Sequence, residues 1–188
     1  MTKKEIVRCG WCGNDELYQA YHDKEWGKQV KDDKILFEFL ILESAQAGLS
    51  WITILKKREG YRKAFSNFDY KKIAKYTEKD VERLLVDPGI IKNRLKITSS
   101  INNAKVFMGI QKEHGSFYNY LYSFLPDQKP IVNQLEDLRG VPVTTDISDK
   151  IAKDLKKKGL KFFGSTTCYA YMQAVGMVND HILTCSFR

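Results

Sequence analysis

The sequence predicts an all-α fold, and three observations carry this prediction. Apolar residues recur with helical spacing along most of the chain. Only four of the 188 residues are prolines, so the chain has few forced helix breaks. Strictly alternating runs of valine and isoleucine are missing, and we therefore expect no sheet-based core. The length predicts one domain, spanning residues 1–188, with a hydrophobic core of its own.

Capping residues and chain breaks define the predicted helices. Asp32 or Asp33 caps a helix that passes Glu43 and ends near Gly48, and Ser50 caps the next one. Apolar side chains surround most of the first of these helices, so we expect it at the centre of the core.

Later in the chain, the segment Thr77–Asp80 resembles a capping box and opens another helix. Pro88 and Gly89 end that helix, and a long one follows from about Ile91 through Val106. Further helices are predicted over residues 117–124, 147–157 and 166–175.

Composition narrows the class of protein. The formal net charge of +8 suits an anionic polymer such as nucleic acid, although many soluble proteins are also basic. The longest apolar stretch, Ile35–Leu42, is interrupted by Glu38 and is too short to cross a membrane. Residues 1–5 contain no apolar segment, so we expect no export signal and a cytoplasmic protein. In that compartment the four cysteines are expected as thiols or metal ligands.

Cysteines and histidines gather at both ends of the chain. Cys9, Cys12 and His22 lie near its start, whereas His181 and Cys185 near its end have a spacing that fits one helical turn. Thiolate and imidazole are the ligands that zinc prefers, and four protein ligands make a structural site. Buried free cysteines with surface histidines are the alternative, and a redox pair of Cys9 and Cys12 would lack its βαβ context.

Aromatic residues are concentrated in the first third of the chain, at Trp11, Tyr18, Tyr21, Trp26 and Trp51. Flat rings with polar tips could sandwich a planar heterocycle and orient it by hydrogen bonds. Ordinary core packing is the alternative.

Glu43 is anomalous because it lies late in an apolar helix, where the helix dipole disfavours an anion. If it faces inward, its burial calls for a cationic ligand or an array of donors. In the alternative it points to solvent, with Glu38 or neither glutamate buried.

A glycine-bearing turn at Asp87–Ile91 joins two predicted helices and is followed by Lys92, Arg94 and Lys96. Free amides at a helix start, together with cations, would hold a DNA phosphate without reading sequence. A plain turn between two helices looks similar.

Several longer strings, in this order, resemble the signature of 3-methyladenine DNA glycosylase I, a monofunctional bacterial repair family. The likeness extends from about Cys9 to Cys185. The strings are Arg8–Trp11, Tyr21–Gly27, Leu42–Glu43, Gln46–Trp51, Asp87–Lys96, Lys161–Gly164 and Asn179–His181.

The resemblance implies a helix-hairpin-helix DNA glycosylase fold with a helical core at about 30–165. Residues 1–30 and 165–188 would form a lobe around one structural zinc. The family's ligands fall on Cys9, His22, His181 and Cys185. Cys12 is additional to the family pattern and could exchange with Cys9.

The resemblance also implies a base pocket of Glu43, Tyr18, Tyr21 and Trp51, with Trp11 as a further lining residue. Glu43 would recognise the base, and no catalytic aspartate is expected after the hairpin. The implied DNA contacts are Gln46, Gly48 and Leu49 at a wedge loop, and Gly89, Lys92 and Arg94 at the hairpin.

The implied activity is release of free 3-methyladenine from double-stranded DNA after nucleotide flipping. A monomer in the bacterial cytosol is expected. One rival is a lysine-dependent strand-nicking enzyme, which needs a lysine of lowered pKa. Another is a zinc-stapled, non-enzymatic binder of damaged DNA, which leaves Glu43 beside the aromatic cluster unexplained.

Overall fold

The computed structural model describes residues 5–188, and most of these residues are helical. Residues 1–4, on which the export-signal prediction partly rests, lie outside this range. Within residues 5–188, no helix is both long and apolar enough to cross a membrane. The helices are α1 Glu16–Lys24, α2 Asp33–Gln46, α3 Trp51–Ala64, α4 Tyr70–Ile73, α5 Glu78–Val86, α6 Arg94–His114, α7 Phe117–Tyr122, α8 Asp146–Lys157 and α9 Ser165–Ala174.

Each predicted helix is present, and for these helices the structure differs from the prediction only in where some of them begin and end. Asp32 is the cap of α2, because its carboxylate accepts the first free amides of that helix. The long helix α6 begins at Arg94 rather than Ile91, since the Asn93 side chain caps it there. Sequence reasoning missed α1, whose cap is Asp15, and the single turn α4.

Helix α2 is the centre of the molecule, as its sequence predicts. Ten consecutive residues, Leu36–Ala45, are buried. Helices α3, α6, α7 and α9 all pack against it. One continuous apolar core includes residues of both terminal segments, so the predicted helical core and terminal lobe share it.

The turn between α5 and α6 packs directly against α3. A Cβ atom on Gly60 would lie 2.2 Å from the carbonyl oxygen of Gly89, so the two backbones touch. Lys57 donates from Nζ to the Pro88 carbonyl at 3.0 Å. The turn is therefore fixed relative to the helix that follows α2.

A small parallel pair of strands joins β1, Ile131–Val132, to β2, Val178–Asn179. A bridge between Leu135 and Ile182 continues it. The sequence did not predict this pair, because two-residue strands are too short to show alternation. The pair fastens the irregular segment after α7 to the end of the chain.

Candidate functional site

A cavity of about 310 Å³ opens where α1, α2, α3 and α9 meet. This volume lies at the lower end of the range of roughly 300–1,000 Å³ typical of small-molecule sites. Its lining residues are Trp11, Tyr18, Tyr21, Trp26, Glu43, Gln46, Trp51, Leu138, Val141, Ala170 and Gln173.

Aromatic rings form much of the cavity wall. Trp11 contacts Tyr18 and Trp26 edge to face, with ring centroids 4.9 Å apart in both pairs. Tyr21 lies tilted against Trp51 at 5.5 Å. These contacts fix the rings around the space, and the predicted aromatic set is brought together.

Three buried polar atoms without a hydrogen-bond partner belong to this lining: Glu43 Oε2, Trp11 Nε1 and Trp51 Nε1. Among residues 5–188, the only other buried side-chain nitrogen or oxygen atom without a partner is His114 Nε2. Buried polar groups are nearly always hydrogen-bonded. These three atoms, one acceptor and two donors, are therefore available to a ligand.

The two glutamates of α2 are both buried but differ in their surroundings. Glu38 accepts hydrogen bonds from Arg58 at 2.5 Å and Arg62 at 2.8 Å. Glu43 is 4% exposed, and no cation among the described residues contacts it. Burial raises the pKa of Glu43 to about 8. The side chain of Glu43 therefore faces inward and does not point to solvent.

Other ionisable groups of the lining stay uncharged near neutral pH. Burial, and secondarily the Glu43 carboxylate, raises the pKa of Tyr21 well above its usual value. Burial also raises the pKa of Tyr18. Within the described part of the chain no lysine, arginine or histidine lines the cavity. A cationic guest would therefore meet the Glu43 carboxyl group and no competing positive charge.

Four potential metal ligands meet beside this cavity. The ligand atoms of Cys9, His22, His181 and Cys185 all lie within 4.8 Å of one another and are buried. Cys185 Sγ lies 3.3 Å from His181 Nδ1 and 3.6 Å from His22 Nε2. Cys9 Sγ lies 3.6 Å from His181 Nδ1. Bond lengths to tetrahedral zinc predict sulfur to nitrogen distances of about 3.5 Å, so the set fits zinc.

The second ring nitrogens of both histidines are held by neighbouring groups. His22 Nδ1 lies 2.8 Å from the carboxylate of Asp23, which also pairs with Arg8. His181 Nε2 lies 3.1 Å from the carbonyl oxygen of Trp26. Such partners orient metal-binding histidines. Burial lowers the pKa of His22, and that of His181 to about 4, so both rings are neutral near pH 7.

Cys12 lies outside this set of ligands. Its Sγ donates to the Cys9 carbonyl at 3.2 Å. Trp26 connects the two sites, since its carbonyl contacts His181 while its ring packs against Trp11 in the cavity wall.

The loop between α2 and α3 begins at the cavity. Gln46 lines the cavity, and the loop continues through Gly48, which has a φ of +80°. Leu49 follows with 38% of its surface exposed. The wedge role predicted for this loop stays a prediction.

The hairpin residues named from sequence differ in their availability. Lys92 is exposed. Arg94 is also exposed, but it pairs with Glu78 and Glu82. The amide of Gly89 donates to the Asp87 side chain at 2.7 Å, so it is not a free donor here.

Lys96 connects the hairpin side of the molecule to α2. From the first turn of α6, its Nζ donates to the carbonyls of Ala45 at 2.9 Å and Ala47 at 2.7 Å. These carbonyls lie at the C-terminal end of α2, where lysine is a favourable partner. Burial lowers the pKa of Lys96. Its ammonium group does not line the cavity.

The family model of methyladenine glycosylase matches residues 11–188. The chain belongs to the methyladenine glycosylase family. It is 49% identical over 179 residues to a DNA-3-methyladenine glycosylase of Haemophilus influenzae, covering 95% of this chain and 96% of that protein. It is 50% identical over 180 residues to DNA-3-methyladenine glycosylase 1 of Escherichia coli, covering 96% of each.

Solved structures of the family are also similar. A crystal structure of 3-methyladenine DNA glycosylase I has a TM-score of 0.93 at 49% identity, covering 96% of this chain and 98% of that one. A Staphylococcus aureus structure that describes 3-methyladenine recognition has a TM-score of 0.93 at 37% identity, covering 97% of each chain. The mostly helical prediction is thus confirmed.

Sequence reasoning missed part of the cavity lining. Leu138 and Val141 come from an irregular segment without a periodic signal. Ala170 and Gln173 are three residues apart on α9 and so share one face, but nothing in the sequence connects that face to Glu43.

Proposed function

We propose that this chain is a monofunctional DNA-3-methyladenine glycosylase that acts on double-stranded DNA. It would flip the damaged nucleotide out of the duplex and hydrolyse its N-glycosidic bond, releasing the free base. Family membership and the names of relatives at about half identity support this activity. The observation that carries it is Glu43, a buried carboxylate without a cation inside an aromatic cavity.

The reaction needs little acid catalysis from the protein. Methylation at N3 makes the base cationic and weakens its bond to the sugar before any enzyme acts. When the bond from N9 to C1′ breaks, its electron pair neutralises the base. The oxygen of a water molecule then bonds to C1′ and releases a proton. The protein chiefly has to hold the cationic base in place.

Glu43 is the recognition group in this proposal. Its carboxylate would accept hydrogen bonds from the base and complement the positive charge, while Tyr18, Tyr21, Trp51 and Trp11 enclose the ring. Normal adenine carries no charge and would not compensate ionisation of Glu43, whose pKa is raised by burial, so the site favours the cationic, methylated base.

We assign DNA contacts to two regions. Gln46, Gly48 and Leu49 would occupy the space that the flipped nucleotide leaves. The hairpin would hold the phosphate backbone through Lys92 and the backbone near Gly89. Arg94 could join it only by releasing its two carboxylate partners.

One zinc ion would be held by Cys9, His22, His181 and Cys185. Four protein ligands leave no open position, so the ion would be structural and would join the two terminal segments. The helical core at about 30–165 and the terminal lobe of 1–30 and 165–188 stay as proposed regions of one domain.

We propose no lyase activity, because within the described residues no lysine lines the cavity to form a Schiff base. Among residues 5–188, Lys96 is the one lysine whose pKa is lowered, and its ammonium group is bound to carbonyl groups instead. A single chain carries the whole cavity, which suits a monomer. A DNA substrate in bacteria implies the cytosol.

The test is release of base from methylated duplex DNA, followed by chromatography. We expect free 3-methyladenine, unbroken strands until alkali is added, and no covalent adduct after borohydride reduction. An adduct would instead indicate a lyase. Tight binding of methylated duplex without release of any base would refute the enzyme and favour the non-enzymatic binder.

A further inference from the structure

The side chain of Gln173 has a fixed orientation at the cavity. Gln173 lines the cavity from α9 together with Ala170, one turn earlier on the same face. Its Nε2 donates to Asp180 Oδ2 at 2.7 Å. The sequence did not indicate Gln173 or Asp180 as site residues. The side chain of Gln173 is half-buried.

Asp180 determines which end of the Gln173 amide faces it. Asp180 is fully buried and also accepts from Tyr169 Oη and Asn133 Nδ2, each at 2.7 Å. In all three of these hydrogen bonds the oxygen atoms of Asp180 are the acceptors. The amide of Gln173 therefore presents its NH₂ group to Asp180, and Oε1 of this cavity-lining residue stays available as an acceptor. No side chain or amide among residues 5–188 donates to that oxygen.

We propose that Gln173 is a specificity-determining residue whose Oε1 accepts a hydrogen bond from the 6-amino group of the flipped purine. This inference rests on the proposed function. Glu43 would accept from the second N–H bond of the same amino group. Gln173 would thereby favour 6-aminopurines over 6-oxopurines, and in particular 3-methyladenine over 3-methylguanine.

The chemistry of the two bases explains this selection. An amino group at position 6 offers two N–H donors, which match two acceptors. A 6-oxo group offers only lone pairs, so it would face Glu43 and Gln173 without a hydrogen bond. A site whose polar atoms are left unpaired rejects the wrong ligand strongly.

The first variant is Gln173→Met, which removes the amide and keeps the length of the side chain. The backbone carbonyl of Gln173 still accepts from the amides of Gly27 at 2.9 Å and Gly176 at 3.3 Å, so the local fold is retained. We expect excision of 3-methyladenine to fall about tenfold, and excision of 3-methylguanine to change little. The ratio of the two bases released from one methylated DNA sample measures this directly.

The second variant, Asp180→Asn, is designed to reverse the orientation of the Gln173 amide. An amide at position 180 can donate to Gln173 Oε1, which turns the NH₂ group of Gln173 towards the cavity. We expect the ratio of 3-methyladenine to 3-methylguanine to fall further than in Gln173→Met. Zinc content and Tm are measured in parallel, because His181 is adjacent in the chain.

Gln111→Met is the matched control. The Nε2 of Gln111 donates to Asp33 at 2.6 Å, so this variant also loses a glutamine to aspartate hydrogen bond, but outside the cavity. We expect lower stability and an unchanged ratio of the two bases. An equal change of ratio in Gln111→Met and Gln173→Met would overturn the proposal.

Binding of free bases to the wild-type protein completes the test and does not depend on any variant. The probes are 3-methyladenine and 3-methylhypoxanthine, which carry an amino and an oxo group, respectively, at position 6. We expect at least about tenfold tighter binding of the amino base, and equal affinities would overturn the inference. If wild-type protein releases 3-methyladenine but Gln173→Met keeps the wild-type ratio, this inference alone fails. If wild-type protein releases no base, the proposed function fails.

Discussion

Replacing Glu43 by glutamine should make the protein without ligand more stable at high pH. The same replacement should slow base excision. In the folded protein the pKa of Glu43 is raised from 4.5 to about 8, because the carboxyl group is buried without a cation. A raised carboxyl pKa means that the protonated form is favoured in the fold. Glu43 therefore destabilises the folded protein increasingly as pH rises from about 4.5 through 8.

The magnitude follows from the shift itself. The rise of the Glu43 pKa from 4.5 to about 8 corresponds to about 5 kcal/mol at most. The free energy of unfolding of the wild-type protein is lower by this amount at pH 9 than it would be without the shift. Glutamine has nearly the same shape and cannot ionise. We expect the Glu43→Gln variant to have about the wild-type Tm at pH 5 and a Tm higher by about 10 °C at pH 9.

The assay is thermal unfolding of both proteins from pH 5 to pH 9, without ligand. Glu38→Gln is the matched control on the same helix, since its carboxylate is paired with Arg58 and Arg62. That variant should be less stable by about 2 kcal/mol, because Arg58 and Arg62 lose one charged hydrogen-bond partner while keeping Glu25 and Glu59. A Tm difference between Glu43→Gln and wild type that does not vary with pH would refute the reasoning.

The same titration should govern catalysis. A cationic base binds best when Glu43 is ionised, so the wild-type excision rate should rise towards pH 8 and then level off. Tyr18 and Tyr21 do not contribute in this range, because the pKa values of both are raised. Glu43→Gln should be slower and lack this rise.

Four further predictions concern the regions around the cavity. Lys96→Met should slow excision from DNA about tenfold while free 3-methyladenine binds as before, because Lys96 holds the end of α2 rather than the base. Gly60→Ala should lower the free energy of unfolding by about 2 kcal/mol or more, measured by urea denaturation, because its Cβ would meet the Gly89 backbone. Cys185→Ser should lose zinc in elemental analysis and lower Tm, whereas retained stoichiometric zinc would contradict the ligand set. Lys92→Ala should weaken binding to undamaged duplex and reduce the slope of log affinity against log salt by about 0.9, and an unchanged slope would remove Lys92 from the phosphate contacts.

The helices were predictable because their signals are local. Asp32, Ser50 and Thr77 mark the starts of three helices, and Pro88 marks a break. The sequence also indicated that α2 is central, because it is apolar on nearly every side. It could not show whether Glu43 faces inward, since a helix buried on all sides has no polar face to set its phase.

Contacts between distant segments were not predictable. Gly60 and Gly89 each look like an ordinary glycine until the backbones of α3 and the hairpin are seen to touch. The pairing of Arg94 with two glutamates likewise depends on how α5 and α6 lie against each other. Gln173 was missed because its importance depends on Asp180, which comes from a different segment of the chain.

The order of synthesis gives the four-ligand cluster a further consequence. His22 and Cys185 are separated by 163 positions, so the ribosome makes one half of the cluster long before the other. At about 5–20 residues per second, roughly ten seconds or more pass between them. During that interval Cys9 and His22 lack His181 and Cys185, the two members of the cluster that come from the end of the chain. Closure of the cluster is thus a late event, because it requires that residue 185 has been synthesised.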